Sequence, residues 1–525
     1  MQPFLQQHRD HIHGVLSGFD RVRFRGTLRS VCYADGLFRY LCFLKVLLVA
    51  FKQFFDGTAR QLKLATERLA AATPVGRVVY LSGMCDKEAV VRDLLRRHAI
   101  ADQYTGVIAV LSCVENCRSF ELHKNAASRM LEVVSAYRKC LHYYVYLRHP
   151  RFGMMHVRLM TWFPMQVQIC LNGREWLARQ LDAAGIAYER RDNCFTRVAD
   201  FAKAQALLDE QLQTDWSATL TGVIRESHPE FARLLTEWQL RDYYWTAEQT
   251  EWATDVVFRS AEALRVLYRR LVRHATENLS SPDVLRFLQQ RLTKSGALHG
   301  RFRGEVVSDT KTRVEGVRVK HRLGRNSLKM YDKFGRVLRI ETTIHQAEGL
   351  KVYRPKEGDA TGTLAWRPLR RGVADVYRRC QLSQAANASY LAALAVVESP
   401  ETLGPALMAA SRSVTKAGRR YRALNLLSSG DGELLRAINR GEFAITGFQN
   451  RHLRSILFGP ATTNTAETKR QSGRMTRQLQ RLRAHGLIRK IPKSHRYKIT
   501  DQGRLLATAT AYVHDTSIKT LALAA

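Results

Sequence analysis

A chain of 525 residues is longer than one hydrophobic core supports, so two to four domains are expected. Hydrophobic residues at 45% and charged residues at 25% are globular proportions and exclude long disorder. The net charge of +36, from 83 Lys+Arg against 47 Asp+Glu, destabilises a compact state by self-repulsion and calls for a polyanionic partner. Nucleic acid comes first and an anionic membrane surface second, and the absence of a long amphipathic basic helix with Trp/Phe anchors disfavours the membrane.

Met1 to Gly26 has no apolar core behind a basic start, which predicts no secretory signal. Leu41 to Phe55 is the most apolar early stretch, but it contains Lys45 and Lys52 and is short for a bilayer, so a buried helix is expected. Nine cysteines without framework spacing fit a reducing cytoplasm. Cys113 and Cys117 with His123 read either as part of a metal site or as buried thiols.

Over residues 1–215, Val78 to Leu81, Gly106 to Cys113, His142 to Leu147 and Val157 to Leu171 read as strands. Ala89 to His98, Asn125 to Lys139 and Arg174 to Ala184 read as helices, the last stopped by Gly185. No Gly-rich phosphate loop is present. Over 216–400, helices are expected at Pro229 to Trp238, Ala247 to His274, Pro282 to Leu292 and between Val373 and Val397. A basic β segment runs from Gly304 to Val352, with Ser327–Tyr331 and Arg336–Ile344 forming a hairpin about Gly335. Ser399-Pro400 and Gly404-Pro405 mark a linker over 401–428. The expected architecture is α+β multidomain: a mixed α/β domain at 1–215, a central helical and basic β-sheet region at 216–400, the linker, and a last domain at 429–525.

In that last domain Glu433 to Asn439, Phe448 to Leu457 and Thr465 to Ala484 read as helices, with Met475, Leu479 and Leu482 on one stripe. His485-Gly486 stops the third helix. Leu487 to Ile491 and Arg496 to Thr500 form a hairpin about Pro492 to His495, and a closing helix follows from Gln502. Leu479, Leu482, Leu487, Ile488, Tyr497 and Ile499 can make one small core. Opposite it lie Lys469, Arg470, Arg474, Arg477, Arg481 and Arg483, with Arg489, Lys490, Lys493 and Arg496 on the hairpin. Such a face suits the phosphates of duplex DNA, with Gln471 and Gln478 as candidates for base edges. The other reading is a solvated face on a protein-contact module. The string from Arg474 to Arg504 resembles the recognition helix and wing of bacterial winged-helix proteins, which implies a winged-helix DNA-binding domain.

The run NSLKMYDKFGRVLRIETTI, Asn326 to Ile344, resembles the Y-D-K … R-I-E element of rolling-circle plasmid and phage replication initiators. The resemblance implies a mobile-element or replicon protein that nicks DNA or transfers strands. By that resemblance Tyr331 is the nucleophile, Lys333 neutralises the scissile phosphate, and Asp332 or Glu341 holds a divalent metal, Mg2+ or Mn2+. Alternation along a strand sets Asp332 opposite Tyr331 and Lys333. The non-catalytic alternative packs Met330, Val337, Leu338 and Ile340 in a sheet and leaves Lys329, Arg336 and Arg339 for phosphates, as in a DNA-binding factor. The commonest initiators also carry a His-hydrophobic-His metal pair; His11-Ile12-His13 has that spelling, within a segment, Gln6 to Leu16, that reads as helix. His156 reads as a core histidine.

A carboxylate-only nuclease or transposase site would draw on Asp20, Glu115, Asp192, Glu251 and Asp255, with Glu251 and Asp255 sharing a helix face; each also suits an arginine partner. Tyr143, Tyr144 and Tyr146, and Tyr243, Tyr244 and Trp245, suit either a stacking channel for single-stranded DNA or RNA or plain core packing.

Overall fold

The computed structural model describes residues 1–515 except 84, 241, 291–303, 314–315, 357–361, 396–402, 427, 441–442, 444–446, 460–463 and 493. The chain is mixed α/β, and it divides into two compact units, each drawn from separated stretches. One comprises 16–253 and 343–381; the other comprises 1–15, 254–342 and 382–525. This division cuts across the 1–215 and 216–400 segments because the long strands Ile12–Thr27 and Tyr244–Phe258 each contribute to both units.

The 16–253 and 343–381 unit is built on a large mixed sheet. Its strand order is Tyr244–Phe258, Ile12–Thr27, Val167–Asn172, Gly153–Met160, Leu131–His149, Gly106–Lys124 and Val78–Leu81. From Ile12–Thr27 to Gly106–Lys124 the neighbours are antiparallel, and Val78–Leu81 joins in parallel. Leu62, Phe163, Trp176, Leu177, Leu220 and Trp245 belong to one buried cluster that joins helices Phe51–Ala71, Gly173–Ala183 and Trp216–Ser227 to this sheet.

Three sequence expectations change here. Asn125 to Lys139 is not a helix: Asn125 caps a turn and Leu131–His149 returns along Gly106–Lys124 in a long β arm. Over 131–139 only Val133 is buried, so no apolar alternation marks this half of the strand in the sequence. Val157 to Leu171 is two strands about a turn at 161–166, not one. Leu41 to Phe55 is not one buried helix: Ala34–Phe43 ends there, Phe51–Ala71 begins, and Leu47 and Val49 between them are exposed.

In the other unit, Val306–Arg313, Gly316–Leu323, Asn326–Lys333, Val337–Ile344 and the end of Tyr244–Phe258 lie side by side. Helix Ala261–Glu277 places Leu264, Leu267, Tyr268 and Leu271 in one buried cluster with Leu328, Met330, Leu338 and Ile340. The 326–344 hairpin closes on Phe334 and Gly335, both at positive φ (55 and 73), the conformation a two-residue hairpin turn needs. Ala247 to His274 is not one helix. Tyr244–Phe258 is a strand, and the helix starts only where Ser260 caps the Ala263 amide. The N-terminal helix is Gln2–Gln7, so His11 lies in a turn and Ile12 and His13 open a strand instead of lying in a helix.

The C-terminal residues form helices Ser429–Ile438, Asn450–Leu457 and Thr465–Ala484, the hairpin Ile488–Lys490 with Tyr497–Ile499, and helix Asp501–Asp515. Met475, Leu479, Leu482, Leu487, Ile488 and Ile499 are buried in one cluster with Leu434, Ile438, Leu453 and Leu506. Gly503 sits so close to the Leu487 carbonyl that a Cβ would lie 2.0 Å from its oxygen, so the closing helix packs there only as glycine. The expected linker holds helix Leu403–Ala410 and a hairpin, Val414–Lys416 with Arg419–Tyr421. Among the described residues no helix is long and apolar enough to cross a membrane.

Candidate functional site

The Thr465–Ala484 helix begins where Asn464 accepts the amides of Ala466 and Glu467. With its Met/Leu stripe buried, Lys469, Arg470, Arg474, Arg477 and Arg483 are exposed, and so are Arg489 and Lys490 on the hairpin. Arg470 pairs with Glu467, and the Arg474 guanidinium lies 5.4 Å from the Phe458 ring centroid. Two residues expected to touch DNA are turned to other partners. Arg481 is buried and paired with Asp431, so it serves the core. Arg496 is half-buried, with a guanidinium N–H on the Gly447 carbonyl at 3.0 Å. Gln478 is half-buried and Gln471 donates to Glu467, while Lys493 lies outside the described residues. The 414–421 hairpin, in the stretch expected to be a linker, adds further basic residues: Lys416, Arg419 and Arg420 are exposed, and Lys416 donates to the Arg483 carbonyl.

On the 326–344 hairpin, Lys329, Tyr331 and Glu341 come together. The Tyr331 hydroxyl donates to one Glu341 oxygen at 2.5 Å and the Lys329 ammonium donates to the other at 2.5 Å. Burial alone would raise the Glu341 pKa, but the charge and hydrogen bond of Lys329 and the hydrogen bond of Tyr331 bring it below the ordinary value. Lys333 is buried, with its ammonium 6.0 Å from the centre of the Tyr331 ring.

Asp332 does not join this group. It points with Met330 to the face carrying Tyr268, where burial lifts its pKa from 3.8 to about 6. Asp332 and Glu341 therefore do not form one metal ligand set, because strand alternation separates them. Arg339 is likewise unavailable for phosphate: it is fully buried and makes a double hydrogen bond to Asp255 at 2.6 and 2.8 Å.

The remaining carboxylates are each engaged. Asp20 accepts from the Asn193 amide through both carboxylate oxygens. Glu115 accepts from Tyr144 and Arg158 and lies 3.3 Å from Lys87. Glu251 accepts from Gln249 and, like Asp255, stands on a strand, so the expected shared helix face does not exist. Asp192 takes a positive φ in the turn between Tyr188–Arg191 and Cys194–Val198.

His11 and His13 are exposed where the first strand opens. His156, expected in the core, is half-buried against the Tyr144 and Tyr146 rings, and desolvation lowers its pKa to about 3. Tyr143, Tyr144, Tyr146, Tyr243 and Trp245 are core, and Tyr244, half-exposed, stacks under Arg29 at 3.6 Å. Cys117 does not group with Cys113 and His123. Its neighbours are Cys140 and His142, brought in by the strand Leu131–His149, whose first half has the local pattern of a helix. The pairing register, absent from local sequence, is what assembles that cluster. Comparison with protein-family models, with curated proteins and with solved structures finds no match to this chain.

Proposed function

We propose that residues 429–515 are a winged-helix module that binds duplex DNA, and that the chain is a DNA-binding protein of a mobile element or replicon. The observation that carries this reading is the division of the Thr465–Ala484 helix. One face is sealed in an apolar core, while Lys469, Arg470, Arg474, Arg477 and Arg483 stand in water beside Arg489 and Lys490. Without a polyanion those cations repel one another; along a groove each replaces a condensed counterion. Most such contacts fix position on the duplex and do not read bases. Fluorescence anisotropy of the full chain on duplex DNA tests it. Log affinity should fall linearly with log salt, and Arg474→Glu with Arg477→Glu should remove most binding. Unchanged affinity in that double variant overturns the proposal.

A second reading, a DNA-nicking enzyme, is favoured by the Tyr331 hydroxyl resting on Glu341. Glu341 would accept the phenolic proton as the tyrosine oxygen attacks a phosphodiester, with the 3′ oxygen leaving, and Lys333 or Lys329 would offset the phosphate charge. Mg2+ or Mn2+ would assist as Lewis acid, with Glu341 but not Asp332 available to it. Incubation with single-stranded and supercoiled DNA plus either metal should give a covalent adduct that Tyr331→Phe abolishes. Intact DNA in that assay leaves the non-catalytic binding factor. Cleavage surviving Tyr331→Phe but abolished by a carboxylate change would instead mark a metal-only nuclease.

A further inference from the structure

We propose that Cys117, Cys140 and His142 bind one zinc-class ion through two thiolates and one imidazole. The strands Gly106–Lys124 and Leu131–His149 run antiparallel with Cys113 opposite His142, Glu115 opposite Cys140 and Cys117 opposite Arg138. Side chains two apart share a face, so Cys117 stands diagonal to Cys140, and His142 lies two residues further along the same face. The sulfurs of Cys117 and Cys140 are 2.8 Å apart, and these two sulfurs and one ring nitrogen of His142 all lie within 4.8 Å of one another. Zinc–sulfur bonds of about 2.3 Å and zinc–nitrogen bonds of about 2.0 Å in a tetrahedron set donor separations of about 3.5–3.8 Å. The cluster spans that range, and parting the sulfurs by about 1 Å would seat the ion.

A second observation points to the same place. His142 is fully buried, and its Nδ1 lies 3.1 Å from the Cys140 carbonyl; that bond puts the ring proton on Nδ1 and leaves Nε2 as the ligating nitrogen. Among the described residues its Nε2 is buried with no hydrogen-bond partner, which is costly for an imidazole unless something accepts the lone pair. Two thiolates and a neutral imidazole around a divalent ion sum to zero charge, which suits a pocket walled by Met160 and Trp162. Glu115, across from Cys140, stays with Arg158 and Tyr144, so the fourth position falls to water. Soft sulfur with one imidazole selects zinc over Mg2+ or Ca2+.

The full chain, titrated with Co2+ as a spectroscopic stand-in, should bind about one equivalent through these donors. Thiolate-to-metal absorption and tetrahedral d–d bands should appear and be displaced by Zn2+. Cys117→Ser and Cys140→Ser should each weaken binding at least about tenfold, while Cys113→Ser keeps the spectrum. In the parent chain, which needs no substitution to stay folded, Zn2+ should slow alkylation of Cys117 and Cys140 but not of exposed Cys85. Co2+ bound without a thiolate band, or alkylation of Cys117 and Cys140 at the same rate with and without Zn2+, overturns the proposal.

Discussion

The helix Thr465–Ala484 and the hairpin Asn326–Ile344 are both basic and both regularly patterned, yet they use their charge in opposite ways. The helix is covered on one side only, so its cations face water. All eight residues of the strand Val337–Ile344 are buried, so Arg339 and Glu341 each need a partner inside the protein. A basic run therefore signals a polyanion surface only where one face of its element is left uncovered. The same residues in a strand covered on both faces become internal ion pairs.

The sharpest break between the two regions is in stability. Arg339→Ala strands a buried Asp255 carboxylate and should cost about 3–5 kcal/mol, as removal of one partner of a buried pair does. Arg477→Ala, on the exposed helix face, should change stability by no more than about 0.5 kcal/mol. Urea unfolding of both variants measures the contrast, and equal destabilisation would erase the distinction. Arg481→Ala belongs with Arg339 despite its place in the basic helix, because its guanidinium is buried against Asp431.

The second test uses DNA. Replacing Lys469, Arg474 and Arg477 by alanine should flatten the slope of log affinity against log salt by about 0.9 for each phosphate left without its cation. Arg336→Ala, outside that face, should leave the slope unchanged. A flatter slope from the hairpin variant and none from the helix variant would move the DNA surface to the sheet.

These contrasts also mark where sequence suffices. Met475, Leu479 and Leu482 repeat at helical spacing and His485-Gly486 ends the pattern, so the C-terminal elements are legible within a few residues. Local signals are enough there because the core is built from neighbours in the chain. Ala247 onward reads as helix because the pairing that makes Tyr244–Phe258 a strand comes from residues distant in the chain, and Asp255 falls on a false helix face for the same reason. The Lys329–Tyr331–Glu341 group is half visible. Alternation puts Lys329, Tyr331 and Lys333 together, but only the register of the neighbouring strand brings Glu341 to them and leaves Asp332 out. Cys140 and His142 are hidden for that reason too: their meeting with Cys117 spans a turn and a long β arm.

The smallest expected effect concerns Asp332 and is a matter of sign. Burial raises its pKa from 3.8 to about 6, so between those values the folded chain holds a proton that the unfolded chain has released. Stability therefore falls as pH rises through that window, and the full penalty is present above about pH 6. Asp332→Asn removes the penalty without changing shape. It should be more stable than the parent by about 1 kcal/mol near pH 8, the shift being discounted for partial solvent screening. The advantage should vanish below about pH 4, where the parent carboxyl is protonated in both states. His142, His156 and His321, all held neutral by burial, also titrate on acidification, but they do so in parent and variant alike and cancel in the difference. Urea midpoints across this range, with and without Mg2+, decide between two roles. A parent stabilised by Mg2+ that the variant does not share would make Asp332 a metal ligand after all. A pH-dependent gap that ignores Mg2+ would leave it a buried acid on the core side of the hairpin.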